Sequence, residues 1–290
     1  MEDLGALYKD VYKTFRPTHY FFQKYNTAYT GIENAGFIAY GTDKKPVAFC
    51  GAVPCFIQYE KKLVLAAQCT DTMTHPKHRN KGLFAKVSAV LYEFCRESGI
   101  KLLFKFPNQN AYPVAVSFPG WTETERMSRF SIQVDTVWER AFFKVAGKSH
   151  KKIISNIISG QPDFHNSVIA NGYAGVYRDE AYMSYKACSN TYLVNITSAS
   201  LWLKAAGELI IGDIMLMAND DKYFFDEIKT LARNLKLPSI SFQISGSGRL
   251  HDLFAGSYKA IPSFPVLIKD FGSGLPPEKI KFTFADIDIF

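Results

Sequence analysis

The sequence predicts a mixed α/β fold of the α+β type, made of two similar halves in which a mostly antiparallel sheet is flanked by helices. Three observations lead to this prediction. Short hydrophobic runs are separated by hairpin-type turns, which indicates antiparallel strands. Other segments carry apolar residues at helical spacing. The order of these elements in the first half recurs in the second, with little residue identity.

In the first half, turns at Gly41–Pro46 and Glu60–Lys62 separate three strands, and Ser98-Gly99 ends a helix. In chain order the predicted elements are helix Leu4–Phe15, helix His19–Tyr25, strands Gly36–Tyr40, Val47–Ile57 and Leu63–Met73, helix Lys81–Glu97, strand Lys101–Phe106, and the final strands of this half within Thr122–Val134.

The second half is predicted to follow a linking helix, Asp135–Ile158, and a boundary at Gly160-Gln-Pro162. Its predicted elements are strands Thr191–Thr197, Ser200–Lys204 and Glu208–Met217, helix Lys222–Leu235 and strand Ser239–Ile244. We therefore expect one domain at 1–140, a linker at 141–162 and a second, degenerate domain at 163–290.

The composition is that of a globular protein: 47% of the 290 residues are hydrophobic and 21% are charged, which excludes a mainly disordered or collagen-like chain. No apolar run reaches the roughly 18–20 residues of a membrane helix. The start of the chain is amphipathic and carries acids, unlike a signal peptide. We expect a cytoplasmic protein with no membrane partner. The five cysteines include no Cys-x-x-Cys pair, so we expect free thiols and no metal site.

The net charge of +7 lies mostly in residues 1–145. A basic half indicates an anionic partner, and charge alone leaves nucleic acid, phosphate and a phosphorylated cofactor open. The segment from Asp71 to Phe84 is more specific, because a strand leads through a basic loop into a helix at Gly82. A helix start with a glycine can hold an anion such as pyrophosphate. The cationic side chains near it are Lys77, Arg79, Lys81 and Lys86.

Arg79-Asn80-Lys81-Gly82-Leu83-Phe84 resembles the R/Q-x-x-G-x-G/A signature of the GNAT superfamily of N-acetyltransferases, in the expected place after a strand and at the start of a helix. Asn108 and the pair Gly120-Trp121 resemble further features of that family. The resemblance implies acyl-CoA as co-substrate, and acetyl-CoA is the expected form. Backbone groups of Met73 and Thr74 would hold the pantetheine arm, with Asn108 contacting it. The pyrophosphate would be held by the amides of Arg79, Asn80, Lys81, Gly82, Leu83 and Phe84.

Catalysis of acyl transfer to an amine needs a base and an acid. The family often places a tyrosine acid where this chain has Val116, so Tyr112 is the nearest candidate. Asp71 and His75 are candidate bases, although His75 and His78 could instead contact the cofactor or solvent. Two less favoured routes use Cys69 as a nucleophile or a terminal carboxylate as the base. Residues 284–290 are more simply interpreted as a final strand with polar alternation.

In the second half, one asparagine and two acidic residues occupy the corresponding helix start: Asn219, Asp220 and Asp221. They would repel a pyrophosphate, so we expect this half to help build the acceptor pocket rather than bind CoA. The leading hypothesis is an N-acyltransferase that passes acetyl from acetyl-CoA to a small-molecule amine or amino sugar by direct attack. The alternatives are an aminoacyl-tRNA-dependent transferase, the one case that needs nucleic acid, and a CoA-binding module without turnover.

Overall fold

The computed structural model describes residues 1–134, 164–187, 190–217 and 221–290. The predicted linking helix, the boundary at Gly160-Gln-Pro162 and Cys188 lie outside the described residues. The helices are α1 (Glu2–Tyr12), α2 (Thr18–Tyr25), α3 (Leu83–Glu97), α4 (Tyr112–Ser117), α5 (Ser167–Ala170), α6 (Glu180–Lys186), α7 (Asp221–Asn234) and α8 (Arg249–Ala255). The strands are β1 (Gly36–Tyr40), β2 (Pro46–Tyr59), β3 (Lys62–Thr74), β4 (Leu102–Lys105), β5 (Thr122–Gln133), β6 (Gly175–Val176), β7 (Tyr192–Asn195), β8 (Ala199–Ala205), β9 (Leu209–Leu216), β10 (Ser239–Ile244) and β11 (Ile261–Asp270).

All of these strands belong to one sheet, whose main path runs β1-β2-β3-β4-β11-β5-β10-β9-β8-β7, with β6 paired to β2. The pairings are antiparallel except β3–β4 and β9–β10, which are parallel. The pattern is therefore the same when read outward from the β5–β11 pair in either direction. The predicted mixed α/β class, with helices flanking a mostly antiparallel sheet, is confirmed.

The centre of the sheet differs from the prediction. Thr122–Val134 was expected to hold the final strands of the first half, but it forms the single strand β5. On one side β4 pairs with β3, but its partner on the other side comes from the second half of the chain, because β11 lies between β4 and β5 and pairs with both. The two halves thus share one hydrogen-bonded sheet.

Most predicted helices and strands are confirmed, with ends that differ by a few residues. The first helix ends at Tyr12 rather than Phe15, because Lys13 adopts a left-handed conformation with φ 56° and its N–H bonds to the Lys9 carbonyl. The predicted strand at 284–290 is wrong. This segment instead contains a 3-10 turn, Phe284–Asp286, which is closed by a capping box between Thr283 and Asp286.

Helices cover both faces of the first half of the sheet. α3 packs on one face, where Leu91 and Cys95 contact a cluster that includes Leu103 of β4. α1 and α2 pack on the opposite face, with Phe21 among their buried side chains. Residues 282–290 extend this second layer, and Phe282 stacks on Phe104 with ring centroids 4.7 Å apart.

A fully buried arginine ties the final segment to the second half. Arg178 Nη1 lies 2.5 Å from Asp213 Oδ2 of β9, and its Nη2 lies 2.7 Å from Asp286 Oδ1. Nη2 also donates to Thr283 Oγ1 at 2.9 Å. Because burying these charges is favourable only when they are paired, the network fixes the position of residues 283–287.

Removing one partner of this network should therefore be costly. We expect Asp213→Ala to lower the free energy of unfolding by about 3–5 kcal/mol, because it leaves Arg178 short of a buried partner. Urea unfolding followed by circular dichroism would measure this. Glu93→Ala is the matched control, since it breaks an exposed pair with Arg96 and should cost less than about 1 kcal/mol. Equal losses in the two variants would contradict this account of the network.

Candidate active site

The candidate site begins where β3 and β4 diverge. The two strands pair at Ala66 with Leu102, Ala67 with Leu103 and Gln68 with Phe104. β3 then continues to Thr74, and beyond Gln68 no described strand pairs with the edge of β3 that faces β4. We call this gap the β3–β4 opening. Backbone polar groups along it are available to a ligand.

A β-bulge accompanies the divergence. The pairing of β2 with β3 shifts between Phe49 and Gly51, and Asp71 has φ 49°, a conformation that is uncommon outside glycine. Past the bulge, Met73 and Thr74 pair with β2 on one side and border the β3–β4 opening on the other. These are the two residues that the family resemblance assigns to the pantetheine arm.

Residues 75–82 form the connection from β3 to α3, which we call the basic loop. Its course is set by the 3-10 turn Pro76–His78, by Asn80 with φ 60° and by Gly82 with φ 69° at the N-cap of α3. Arg79 Nε donates to the Thr74 carbonyl at 3.4 Å. Within the described ranges, no hydrogen bond occupies the backbone N–H groups of residues 80–85. Donors of this kind at a helix start attract an anion.

The predicted cofactor residues differ in exposure. Arg79, Asn80, Lys81 and Gly82 are exposed, and a Cβ added to Gly82 would meet nothing within 4 Å. Leu83 and Phe84 are half-buried. Phe84 packs edge-on against Phe118, with centroids 5.9 Å apart, so the large side chain contacts the end of α4.

Asn108 stabilises the turn before α4. Its Oδ1 accepts from the N–H groups of Asn110 and Ala111 at 3.1 and 3.0 Å. The amide nitrogen, Nδ2, is used by neither bond. Asn108 is exposed and lies between the end of β4 and the start of α4.

Tyr112, the candidate acid, is turned toward β5. Its hydroxyl donates to Glu123, and this hydrogen bond raises the pKa of the phenol. The Arg126 guanidinium lies 5.0 Å from the centre of the Tyr112 ring. The phenol proton is thus engaged by Glu123 in this structure.

His75 caps the 3-10 turn of the basic loop, where its Nδ1 accepts from the Lys77 N–H at 3.3 Å. The rings of His75 and His78 lie edge-on, 5.6 Å apart. The thiol of Cys69 is buried, and burial raises its pKa well above the ordinary value. A neutral thiol is a poor nucleophile, so the acyl-enzyme route gains no support.

On the face that carries α1 and α2, a buried ion cluster joins α2, β3 and the final segment of the chain beside the opening. Lys24 Nζ lies 2.8 Å from Asp71 Oδ2 and 2.7 Å from Asp288 Oδ2. Tyr25 donates its hydroxyl to Asp71 Oδ2 at 2.8 Å. Gln68 Nε2 donates to Asp288 Oδ1 at 2.6 Å, and Thr70 donates to the same carboxylate. Asp71, a candidate base, is therefore held in a salt bridge.

The cluster keeps Lys24 and Asp288 charged. Burial alone opposes ionisation, but the attraction of Lys24 and the hydrogen bonds from Lys24 and Thr70 hold the pKa of Asp288 below its ordinary value. In the same way, burial opposes the charge of Lys24, while Asp288 and Asp71 raise its pKa well above the ordinary value. Sequence reasoning gave a terminal carboxylate folded into a cleft as a less favoured base, but it favoured a strand for residues 284–290 and did not predict the ion pair of Asp288 with Lys24.

The opposite face of the opening holds a second buried amine, also missed by sequence reasoning. Lys105 is the last residue of β4 and is 8% exposed. Its Nζ lies 3.7 Å from the centre of the Trp121 ring and donates to the Ala115 carbonyl at 3.5 Å. Burial lowers the pKa of Lys105 to about 8. The sequence did carry one signal for this buried amine, because Lys105 ends the otherwise hydrophobic strand β4.

The described residues contain no helix long and apolar enough to cross a membrane. They also contain no group of three or more histidine, cysteine, aspartate or glutamate side chains placed to hold a metal ion.

The ion cluster should give a pH-dependent contribution to stability. Because the folded-state pKa of Asp288 is lowered, its stabilisation is present above the ordinary carboxylate pKa and is lost as pH falls through the folded-state value. We expect Asp288→Asn to lower the free energy of unfolding by about 2–3 kcal/mol at pH 7. The loss is limited because Lys24 keeps Asp71 as a partner. The loss should become progressively smaller as the pH falls toward 3.

Urea unfolding at several pH values would measure this difference. Asp43→Asn is the control, since Asp43 is exposed and lies 3.8 Å from Lys45, and it should be close to neutral throughout. A difference between wild type and Asp288→Asn that stays constant from pH 7 to pH 3 would contradict the ionised state of Asp288.

Residues 2–122 match the family model described as an acetyltransferase (GNAT) domain. A comparison with curated proteins gives no match.

Several solved structures are similar to the chain at low identity. A GCN5-related N-acetyltransferase from Kribbella flavida has a TM-score of 0.60 and 10% identity, covering 92% of this chain and 67% of that one. A conserved protein of unknown function from Enterococcus faecalis V583, a probable N-acyltransferase, has a TM-score of 0.61 and 13% identity, covering 93% and 70%.

The N-myristoyltransferase of Saccharomyces cerevisiae with bound myristoyl-CoA has a TM-score of 0.54 and 11% identity, covering 92% of this chain and 78% of that one. Residues 2–122 therefore match the model of a GNAT acetyltransferase domain, and over most of its length the chain has the fold of these solved structures.

Proposed function

We propose that the protein is an acyl-CoA-dependent N-acyltransferase, which transfers acetyl from acetyl-CoA to a primary amine of a small molecule or amino sugar by direct attack. The observation that supports this best is the continuity of the β3–β4 opening with the free N–H groups of residues 80–85. One ligand could therefore span both sites, with its extended arm in the opening and its pyrophosphate at the start of α3.

The residues present fit that ligand. The amides of residues 79–84 and the charges of Lys77, Arg79 and Lys81 would hold the pyrophosphate, and the open space beside Gly82 would admit it. Backbone groups of Met73 and Thr74 would bind the pantetheine arm, with the amide of Asn108 beside it. Bound acyl-CoA supplies an activated thioester.

On the α1 and α2 face, the acceptor amine would approach the carboxylates of Asp71 and Asp288. Both are ion-paired with Lys24, which orders them for hydrogen bonds to an amine. Asp288, which belongs to the acidic terminal segment that the sequence analysis gave as a less favoured source of the base, is therefore a candidate for receiving the amine proton beside Asp71 and His75. Tyr112 is the sequence-based candidate for the acid, and its bond to Glu123 would have to open for it to act.

We also propose that the chain is a tandem of two GNAT-like domains, 1–140 and 163–290, with one working cofactor site. The matching strand pairings on the two sides of β5–β11 support this. Residues 75–82 connect β3 to α3, whereas only residues 217–220 connect β9 to α7. The second connection is too short for a loop of the first kind. Asn219 and Asp220 lie outside the described residues. We also propose that the protein is cytoplasmic.

A CoA-binding module without turnover is the second candidate, and one observation favours it. Residues 282–290 pack across the α1 and α2 face of the opening. They leave only a small cavity there, whose lining includes Tyr29, Gln68 and Asp288. An acceptor would need a path past this segment. Binding of acetyl-CoA without turnover of a broad amine panel would identify this case.

The cofactor site can be tested with Gly82→Glu, which places a side chain and a negative charge where the pyrophosphate is proposed. We expect isothermal titration of acetyl-CoA into the wild type to show micromolar binding at one site per chain, and binding to be lost in Gly82→Glu. Gly207→Glu is the matched control, because Gly207 is also left-handed and also faces open space. It should bind like the wild type.

Absence of binding to the wild type would overturn the acyl-CoA proposal. Two sites per chain would contradict the single working site. Equal loss of binding in Gly82→Glu and Gly207→Glu would show that added strain or charge, rather than the basic loop, explains the effect.

A further inference from the structure

Lys105 is a buried cation that lacks an acidic partner. No described carboxylate forms an ion pair with it, in contrast to Lys24, which has two. Its polar contacts are the Trp121 ring and one carbonyl at 3.5 Å. Holding an ammonium group in this way costs free energy, and such an arrangement is maintained most readily where the charge serves a ligand.

The groups that face Lys105 from the surrounding elements are neutral or positive. Cys69 of β3 and Cys50 of β2 act to raise the pKa of Lys105, and the positive charge of Lys269 of β11 acts to lower it. Tyr92 of α3 lies against Trp121, the ring that Lys105 covers. Burial raises the pKa values of Cys50, Cys69 and Tyr92, so these groups stay protonated at neutral pH. The ammonium therefore has no fixed counter-charge.

Its position is at the apex of the β3–β4 opening. Gln68 and Phe104 form the last pair of the two strands, and Cys69 and Lys105 are the next residues along each strand. Because side chains alternate along a strand, Lys105 lies on the same face as Leu103, which is the face that packs against α3. Lys105 thus lies directly after the point where the strands separate, on the face that packs against α3.

We propose that Lys105 Nζ faces the thioester sulfur and protonates it as the thiol departs. This inference rests on the proposed function. In the step, the amine nitrogen bonds to the carbonyl carbon, the C–S bond breaks, and its electron pair goes to sulfur. Lys105 gives one proton to the sulfur, the amine gives up one proton to a base, and solvent returns a proton to Lys105. The products are the amide and the free thiol.

Two further observations support this role. The position that the family resemblance assigns to the acid is Val116, which is 39% exposed and cannot donate a proton. The pKa of about 8 for Lys105 lies close to that of an ordinary thiol, roughly 8.5, so proton transfer between them is nearly balanced. At pH 7 most of Lys105 still carries its proton.

The test compares the binding of CoA, which has the free thiol, with that of desulfo-CoA, which lacks the sulfur. An opposite charge at close range lowers a pKa by roughly one to three units. If the ammonium lowers the pKa of the bound thiol by about two units, and Lys105 itself loses its proton near pH 8, the affinity of the wild type for CoA relative to desulfo-CoA should rise about sevenfold between pH 6.5 and 8.5. In Lys105→Met this ratio should stay constant. Lys101→Met, an exposed lysine just before the same strand, should behave like the wild type.

A second measurement on the wild type covers the case in which Lys105→Met does not fold. Titration of CoA at pH 8 in two buffers of different ionisation enthalpy should show proton release on binding, with none for desulfo-CoA. A ratio independent of pH, or no proton release, in a wild type that binds both ligands would overturn the role of Lys105 and leave the proposed function standing. Failure of the wild type to bind CoA would instead overturn the proposed function.

Discussion

The divergence of β3 from β4 is the constraint on which the rest of the site depends. The strands pair at three positions and then separate, while the bulge at Asp71 turns β3 away and directs it into the basic loop. A sheet with an unpaired edge inside it needs another polar partner for those backbone groups. The end of β4, the basic loop and the start of α3 all follow this divergence along their strands, so one local irregularity in the sheet would create both the proposed groove for the pantetheine arm and the proposed pyrophosphate site.

The two faces of this opening have different electrostatics. On the α1 and α2 face, Lys24 is neutralised by Asp71 and Asp288, and the cluster joins α2, β3 and residues 282–290. On the α3 face, Lys105 has aromatic and thiol neighbours, and none of the described carboxylates forms an ion pair with it. An acyl transfer across the opening would use these faces differently, because the acceptor amine gives up a proton on one side while the sulfur takes one on the other. The separation of a carboxylate-rich face from an uncompensated cation suits that division.

The sequence predicted the local elements well and the long-range arrangement poorly. Periodicity located β1 to β3 and α3, and the glycine at position 82 located the helix start, because these features depend on neighbouring residues. The insertion of β11 between β4 and β5 joins segments about 150 residues apart, which no local pattern encodes. Residues 284–290 alternate like a strand, but Arg178 and Lys24 capture Asp286 and Asp288 instead. The contact of Lys105 with the Trp121 ring could not be predicted either, because it depends on how β4 and the segment after α4 pack in the folded chain.

Hydrogen–deuterium exchange of the full chain with and without CoA would test most directly that the β3–β4 opening and the basic loop form the cofactor site. The account predicts slower exchange on binding in peptides covering residues 72–86 and 105–112, and unchanged exchange in peptides covering the β9–α7 connection. Protection at the β9–α7 connection, or unchanged exchange in the basic loop at saturating CoA, would contradict it.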